Sequence, residues 1–144
     1  GLWRGEPVEF DGAHYHVHTQ FLPRPVQQPR IPIWVGGTWP HKAPFRRAAR
    51  WDGAFPIGEY EDPVPTPDAV RAIASYIAQH RTDDGPFDMV LAGETPGDDP
   101  ARAAAIVAPY AEAGATWWLE ALNGYRGPLA LSRERIRQGP PRLP

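Results

Sequence analysis

Short apolar runs and amphipathic stripes alternate along most of the chain. From residue 31 onward, four apolar runs of strand length are each followed by a segment that favours a helix. The runs are IPIWV from Ile31, DGAFPIG from Asp52, FDMVLAGET from Phe87 and ATWWLEAL from Ala115. Strands that alternate with helices of these lengths predict βαβ units and a parallel sheet. Such units fit either an open doubly wound sheet or part of a closed barrel.

The clearest predicted helix is TPDAVRAIASYIAQHR, which begins at Thr66. Its apolar residues recur at the i, i+3, i+4, i+7 spacing of a single helix face. Thr66 is suited to be the N-cap, with Pro67 as the first helical residue. The segment therefore predicts a helix that packs one face against the sheet.

Three other segments predict the remaining helices. PHKAPFRRAARW follows the first strand, starting at Pro40, and PLALSRERIRQG begins at Pro128. DDPARAAAIVAPYAEAG is opened by Asp99 and closed by Gly114. Pro109 lies inside this last segment and predicts a kink or a break.

The first thirty residues have a different character. VEF and HYHVH flank the turn dipeptide Asp-Gly, which predicts a β-hairpin. The prolines that follow require an extended path without a helix. We therefore divide the chain into a hairpin with a proline-rich lead-in, 1–30, and an α/β domain, 31–144.

Composition narrows the function classes. The 144 residues carry a formal net charge of −2, which gives no electrostatic reason to expect binding to nucleic acid or to an anionic membrane. The absence of cysteine excludes disulfides and thiolate metal sites. No apolar run approaches the roughly 18 residues of a membrane span. These features predict a soluble, cytoplasmic protein.

Two adjacent glycines, Gly36 and Gly37, stand where the first strand of the α/β domain leads to a helix. Glycine has no Cβ, so successive backbone N–H groups can converge there on an anion. Thr38 adds a hydroxyl donor. The alternative is that the glycines only make a tight turn, since a bare Gly-Gly pair is a weak signal.

Several of these motifs together resemble the luciferase-like monooxygenase family, whose members are flavin- or deazaflavin-dependent (β/α)8 barrels. The motifs are LWRGEPVEFDGAHYHV, the proline-rich lead into IPIWVGG, RRAARWDGAFP and YAEAGATWW, in the order of the family. The resemblance covers the second half of the family's barrel, which implies a half (β/α)8 (TIM) barrel of four strand–helix units. It also implies that Gly36 and Gly37 lie near the cofactor phosphate, to which the adjacent Thr38 would add its hydroxyl donor, with FMN as the cofactor and a deazaflavin as the alternative.

A half-barrel leaves two strand edges and one apolar face of the sheet uncovered. We expect a homodimer in which two half-barrels face one another. The predicted function is that of a flavin-dependent oxidoreductase or monooxygenase acting on an unidentified small molecule. Two alternatives are a flavin-binding or accessory protein without turnover, and a partial chain that needs a separate N-terminal half.

Other candidate residues lie near the ends of the last two strands. Glu120, and Glu94 after the preceding strand, are placed where (β/α) barrels have their active sites. Either carboxylate could orient a substrate, or could simply pair with an arginine such as Arg126. One of the adjacent Trp117 and Trp118 must face the barrel interior; we select Trp118 and Glu120 as possible substrate or ring contacts.

Two further patterns do not lead us to predict a binding or catalytic site. Three histidines at alternating positions, His14, His16 and His18, share one strand face, but no fourth ligand is evident and we predict no metal site. The basic run RERIR in the last predicted helix is typical of a solvated helix face. Catalytic residues are not identified.

Overall fold

The structure is a computed structural model that describes residues 2–28, 30–59 and 62–142. The chain folds as two compact units, 1–32 and 33–144. In the first unit, the short 3-10 turn Leu2–Arg4 precedes the antiparallel strands β1 (Val8–Asp11) and β2 (His16–Thr19). The hairpin expected around Asp-Gly is therefore confirmed.

Among its described residues, the second unit alternates four strands with four helices. In chain order these are β3 (Trp34–Thr38), α1 (Lys42–Ala48), β4 (Gly53–Ile57), α2 (Pro67–Ala78), β5 (Asp88–Gly93), α3 (Pro100–Glu112), β6 (Trp117–Glu120) and α4 (Leu129–Gln138). A second 3-10 turn, Gly124–Arg126, lies before α4. The strands pair in parallel in the order β3-β4-β5-β6. This is the α/β architecture of half a (β/α)8 barrel, as predicted.

The hydrophobic core lies between the sheet and its helices. Alternate residues of β3, β4 and β5 point to this side, since successive side chains of a strand point to opposite faces. The strands contribute Val35, Ala54, Met89 and Leu91 to the buried core. The helices and the residues that follow them contribute Phe45, Ala48, Ala49, Val70, Ile73, Ile77 and Ala113. The stripe predicted for α2 is therefore its core face.

The opposite side of the sheet is called the open face here. Strand alternation assigns to it Trp34, Gly36, Phe55, Ile57, Asp88, Val90, Ala92, Trp117 and Leu119. Trp34, Ile57, Trp117 and Leu119 are exposed there. Which strand residues face the interior of the half-barrel was undecided from sequence, and the structure decides it.

Two helix caps form as predicted. The Thr66 hydroxyl accepts a hydrogen bond from the backbone N–H of Ala69 at 3.2 Å, at the start of α2. The Asp99 carboxylate accepts one from the backbone N–H of Arg102 at 2.9 Å, at the start of α3. Each cap satisfies one of the N–H groups that the first turn of a helix leaves unpaired.

Three expectations are corrected. The first strand of the α/β unit is Trp34–Thr38 and not Ile31–Val35, because its pairing with β4 continues through Gly36, Gly37 and Thr38. The next helix begins at Lys42, since a turn closed by the His41 N–H and the Thr38 carbonyl precedes it.

The third correction concerns α3, which continues through Pro109 without the break that was one of the two predicted outcomes; a kink there stays a prediction. The proline removes the hydrogen bond to the carbonyl of Ala105, but Ala105 lies on the exposed side of the helix. Water can therefore satisfy that carbonyl, and the helix continues to Glu112.

Candidate functional site

The two adjacent glycines lie at the carboxyl end of β3, and the structure explains the absence of a side chain differently at each position. A Cβ on Gly37 would lie 2.5 Å from the Cβ of Pro44, so glycine is what lets α1 pack this closely on the strand. A Cβ on Gly36 would have the Ile57 Cδ1 atom as its nearest neighbour at 3.7 Å, which is an ordinary contact. Gly37 is therefore required by packing, whereas Gly36 keeps the open face clear.

Strand β3 is an edge strand of the described sheet, so the N–H groups on its side away from β4 are not used in pairing with β4. Thr38, the last residue of β3, is half-buried beside the turn that leads to α1. The structure thus places Gly36, Gly37 and Thr38 consecutively at one carboxyl strand end. Their proposed contact with a phosphate stays a prediction.

A recess of about 430 Å³ opens at the carboxyl ends of β4 and β5. This is the end of the strands at which (β/α) barrels place their active sites. Its lining residues are Phe55, Pro56, Ile57, Pro63, Val64, Ala92, Gly93, Glu94, Ala121 and Asn123. The recess is mainly apolar with a few polar groups at its edge, which is typical of small-molecule sites.

Glu120, at the end of β6, is held in a buried ion-pair network next to this recess. Its Oε1 accepts hydrogen bonds from the Arg126 Nη1 at 2.5 Å and from the Thr95 backbone N–H at 2.8 Å. Its Oε2 accepts one from the Thr95 hydroxyl at 2.6 Å and lies 3.2 Å from the Arg135 Nη2. Pairing with Arg126, one of the two roles considered for Glu120, is therefore present, and a substrate contact stays a prediction.

The network lowers the pKa of Glu120. Burial by itself raises the pKa of this carboxyl, but the hydrogen bonds from Thr95 and Arg126 and the positive charge of Arg135 together outweigh it. Glu120 is therefore ionised at neutral pH and acts as an acceptor only. It fixes the loop after β5, because both of its oxygens bind Thr95.

Arg135 and Thr95 are the members of this network that the sequence did not reveal. Arg135 lies in RERIR, which was interpreted as a solvated face, yet it is only 6% exposed. Its Nε donates to the Thr95 carbonyl at 3.1 Å, and its Nη2 donates to the Thr95 hydroxyl at 2.9 Å. Thr95 itself is buried. The interpretation of RERIR was wrong for Arg135, because a partner forty positions away in the sequence buries it.

The two adjacent tryptophans of β6 face opposite sides. Trp118 points to the helices, where its ring centroid lies 5.4 Å from that of Tyr110 on α3 and the side chain packs against the core. Trp117 lies on the open face and is 50% exposed. The tryptophan that faces the interior, which the sequence left undecided, is therefore Trp117, and a substrate or ring contact of Trp118 stays a prediction.

Trp117 belongs to a cluster at the amino end of the strands that the sequence did not reveal. Its indole N–H donates to the Asp88 Oδ1 at 2.9 Å, and the indole N–H of Trp34 donates to the Asp88 Oδ2 at 3.0 Å. A Cβ on Gly53, between Trp34 and Asp88 in the sheet, would meet both residues at 2.6 Å. Gly53 therefore lets the Trp34 ring cross β4 to reach Asp88.

The histidines of the hairpin do not assemble a metal site in the part of the chain described. His16 Nδ1 lies 2.8 Å from the Asp11 Oδ1, and His18 Nε2 lies 3.6 Å from the same oxygen, all on exposed side chains. The described residues contain no group of three or more potential metal ligands. They also contain no helix long and apolar enough to cross a membrane.

The chain was compared with known protein families. A family model described as luciferase-like monooxygenase matches residues 1–140. The match includes the hairpin, the Gly36–Gly37 strand and the carboxyl-end recess. Members of this family are generally flavin-dependent oxidoreductases. Because the match covers nearly all of the 144 residues, the chain belongs to the luciferase-like monooxygenase family.

Proposed function

We propose that this chain is a flavin-binding oxidoreductase of the monooxygenase type, with its reaction site in the recess at the carboxyl ends of β4 and β5. The observation that carries the proposal is the recess itself. It lies at the end of the sheet where (β/α) barrels place their active sites, in a chain whose family is generally flavin-dependent. FMN is the proposed cofactor, and a deazaflavin is the alternative. When bound, either cofactor supplies the redox chemistry.

The residues of the open face fit a planar cofactor. Gly36 presents no side chain there, and the space a Cβ would occupy is free to 3.7 Å. Phe55, Ile57 and Ala92 supply apolar surface, and the volume of about 430 Å³ lies in the usual range of ligand sites. The roles that fall to the chain are to position the bound molecules and to exclude water from them.

Gly36, Gly37 and Thr38 are the proposed contacts of the cofactor phosphate. The two glycines let a ligand approach the edge strand without side chains in the way, alternate N–H groups of that strand point away from β4, and Thr38 adds a hydroxyl donor. A phosphate accepts hydrogen bonds from such N–H and O–H groups. The role of Gly37 is shared with its packing against Pro44.

Thr38→Val tests the phosphate site, since it removes the hydroxyl and keeps the shape. The proposal predicts that FMN binds the purified chain more tightly than riboflavin, which lacks the phosphate. Thr38→Val should weaken FMN about tenfold, and leave riboflavin unchanged. Thr82→Val, in an exposed loop of the same unit, is the matched control. Equal affinity of the wild type for FMN and riboflavin contradicts the phosphate contact.

A homodimer is the proposed form of the active protein. The open face exposes Trp34, Ile57, Trp117 and Leu119, and strands β3 and β6 each have one edge without a partner strand among the described residues. A second copy related by a two-fold axis would bring β6 of one copy to β3 of the other and close an eight-stranded parallel barrel. Burial of these side chains is what would stabilise the dimer.

A further inference from the structure

Glu94 brings a negative charge to the recess at the carboxyl ends of β4 and β5. Among the described residues that line the recess at the carboxyl ends of β4 and β5, Glu94 alone carries a formal charge. The rest are apolar side chains, glycine and one amide, Asn123. The Glu94 side chain is 53% exposed, so its carboxylate lies at the mouth of the recess.

Arg126 forms a long ion pair with Glu94 that offsets its charge only in part. The Arg126 Nε lies 3.9 Å from the Glu94 Oε2, which is beyond hydrogen-bond distance. The other two nitrogens of Arg126 are fixed elsewhere: Nη1 donates to Glu120 and to the Ala121 carbonyl, and Nη2 donates to the Thr95 carbonyl. Arg126 is therefore anchored to the loop and to Glu120, and the Glu94 oxygens stay available to accept.

Glu94 is also held in place by its neighbour. Thr95 is buried and binds Glu120, Arg126 and Arg135 through its N–H, carbonyl and hydroxyl groups. The backbone on which Glu94 sits is thus rigidly positioned, although its side chain reaches solvent. A carboxylate positioned at the edge of an apolar recess discriminates between ligands by the charge of their head group.

We infer that the recess prefers ligands with an apolar body and a positively charged, hydrogen-bond-donating head group, such as a primary ammonium, and that Glu94 sets this preference. The inference rests on the proposed function, because it specifies the class of ligand that the proposed reaction site binds. The apolar body would lie against Pro63 and Val64, which are not among the proposed cofactor contacts, and the ammonium group would donate to the Glu94 carboxylate. A carboxylate head group would instead be repelled.

Three probes of equal chain length separate the effects of charge and of apolar contact: n-octylammonium, octanoate and 1-octanol. Binding to the purified chain is followed at neutral pH by NMR, through the methyl signals of Ala92 and Ile57, which line the recess. The wild type should bind n-octylammonium about tenfold more tightly than octanoate, with octanol between them. Glu94→Gln should abolish the difference in affinity between n-octylammonium and octanoate and leave the affinity for octanol unchanged.

Glu134→Gln is a matched control. Glu134 on α4 is 55% exposed and lies 3.2 Å from the Arg137 Nη1, so it resembles Glu94 in exposure and in having an arginine neighbour. It should leave the order of the three probes unchanged. Octanoate binding as tightly as n-octylammonium, or the same order in Glu94→Gln, overturns the inference.

The failure of this inference and the failure of the proposed function are distinguishable. If none of the three probes shifts the Ala92 and Ile57 signals while FMN binds, the ligand class is wrong and the flavin proposal stands. If n-octylammonium shifts these signals with the expected order and neither FMN nor a deazaflavin binds, the recess selects cationic ligands and the flavin proposal fails.

Discussion

The indole rings of Trp34 and Trp117 lie 5.9 Å apart although they come from strands at opposite edges of the sheet. Three strand spacings, roughly 14 Å, separate such edges along a sheet. The rings meet because they lean toward each other over the open face, and each donates to one oxygen of Asp88. Such a contact is favoured when the sheet curves toward the open face, as expected for one half of a barrel.

Replacing Asp88 should destabilise the fold. Asp88→Ala removes the hydrogen bonds to the partly exposed indole N–H groups of Trp34 and Trp117 and should lower the free energy of unfolding by about 1 kcal/mol. Urea denaturation followed by tryptophan fluorescence measures the change. Asp84→Ala, in an exposed loop, is the control and should stay within about 0.5 kcal/mol of the wild type. Equal stabilities of the two variants would show that the Asp88 cluster contributes nothing.

The two glycines of β3 should respond differently to the same substitution. Gly37→Ala places a Cβ 2.5 Å from that of Pro44, and the resulting overpacking should cost about 1–3 kcal/mol. Gly36→Ala meets only an ordinary contact at 3.7 Å and should be neutral or slightly stabilising. Thermal unfolding of the pair, each variant serving as the other's control, measures the difference. Similar melting temperatures would contradict the packing of α1 on β3.

Much of the architecture could be predicted because its signals are local. Thr66 and Asp99 are recognisable caps, and the stripe on α2 fixes which face it buries. The ends of β3 were not predictable in the same way. IPIWVGGT has no alternation of apolar and polar residues, so it allows several positions for the strand.

The candidate site was predictable in its location and only partly in its residues. The carboxyl ends of the strands follow from the βα order, which brings Gly36, Glu94 and Glu120 to one end of the sheet. The facing of Trp117 and Trp118 depends on the register with β5, which sequence does not give. The burial of Arg135 depends on Thr95, a tertiary contact without a local signal.

The ion-pair network should make stability depend on pH through Glu120. Burial raises the pKa of this carboxyl, yet the bonds from Thr95 and Arg126 and the charge of Arg135 lower it overall, below its unfolded-state value of about 4.3. The stabilisation is therefore present above that unfolded-state pKa and is lost as pH falls through the lower, folded-state pKa. Urea denaturation between neutral pH and about pH 3 should show this loss in the wild type.

Glu120→Gln should be less stable at neutral pH by about 1–3 kcal/mol, because two arginines lose their counter-charge. It should also lose part of the acid dependence. Glu134→Gln, which breaks an exposed pair on α4, should keep both the stability and the acid dependence of the wild type. An unchanged acid limb in Glu120→Gln would show that another carboxylate causes it.

The proposed dimer predicts that a charge on the open face separates the two copies. Leu119→Arg introduces a guanidinium among the apolar side chains of this face and should convert the dimer to single chains. Leu131→Arg, at an exposed leucine of α4, is the control and should leave the assembly intact. Sedimentation velocity at micromolar concentration measures both variants. A dimer that persists in Leu119→Arg would place the interface elsewhere.

The most direct measurement is size-exclusion chromatography of the chain with added FMN, recording light scattering and flavin absorbance on the same peak. A flavin-binding half-barrel dimer predicts a peak of twice the 16.0 kDa chain mass that carries flavin absorbance. A peak with the mass of one chain and no flavin absorbance at micromolar concentration would contradict it.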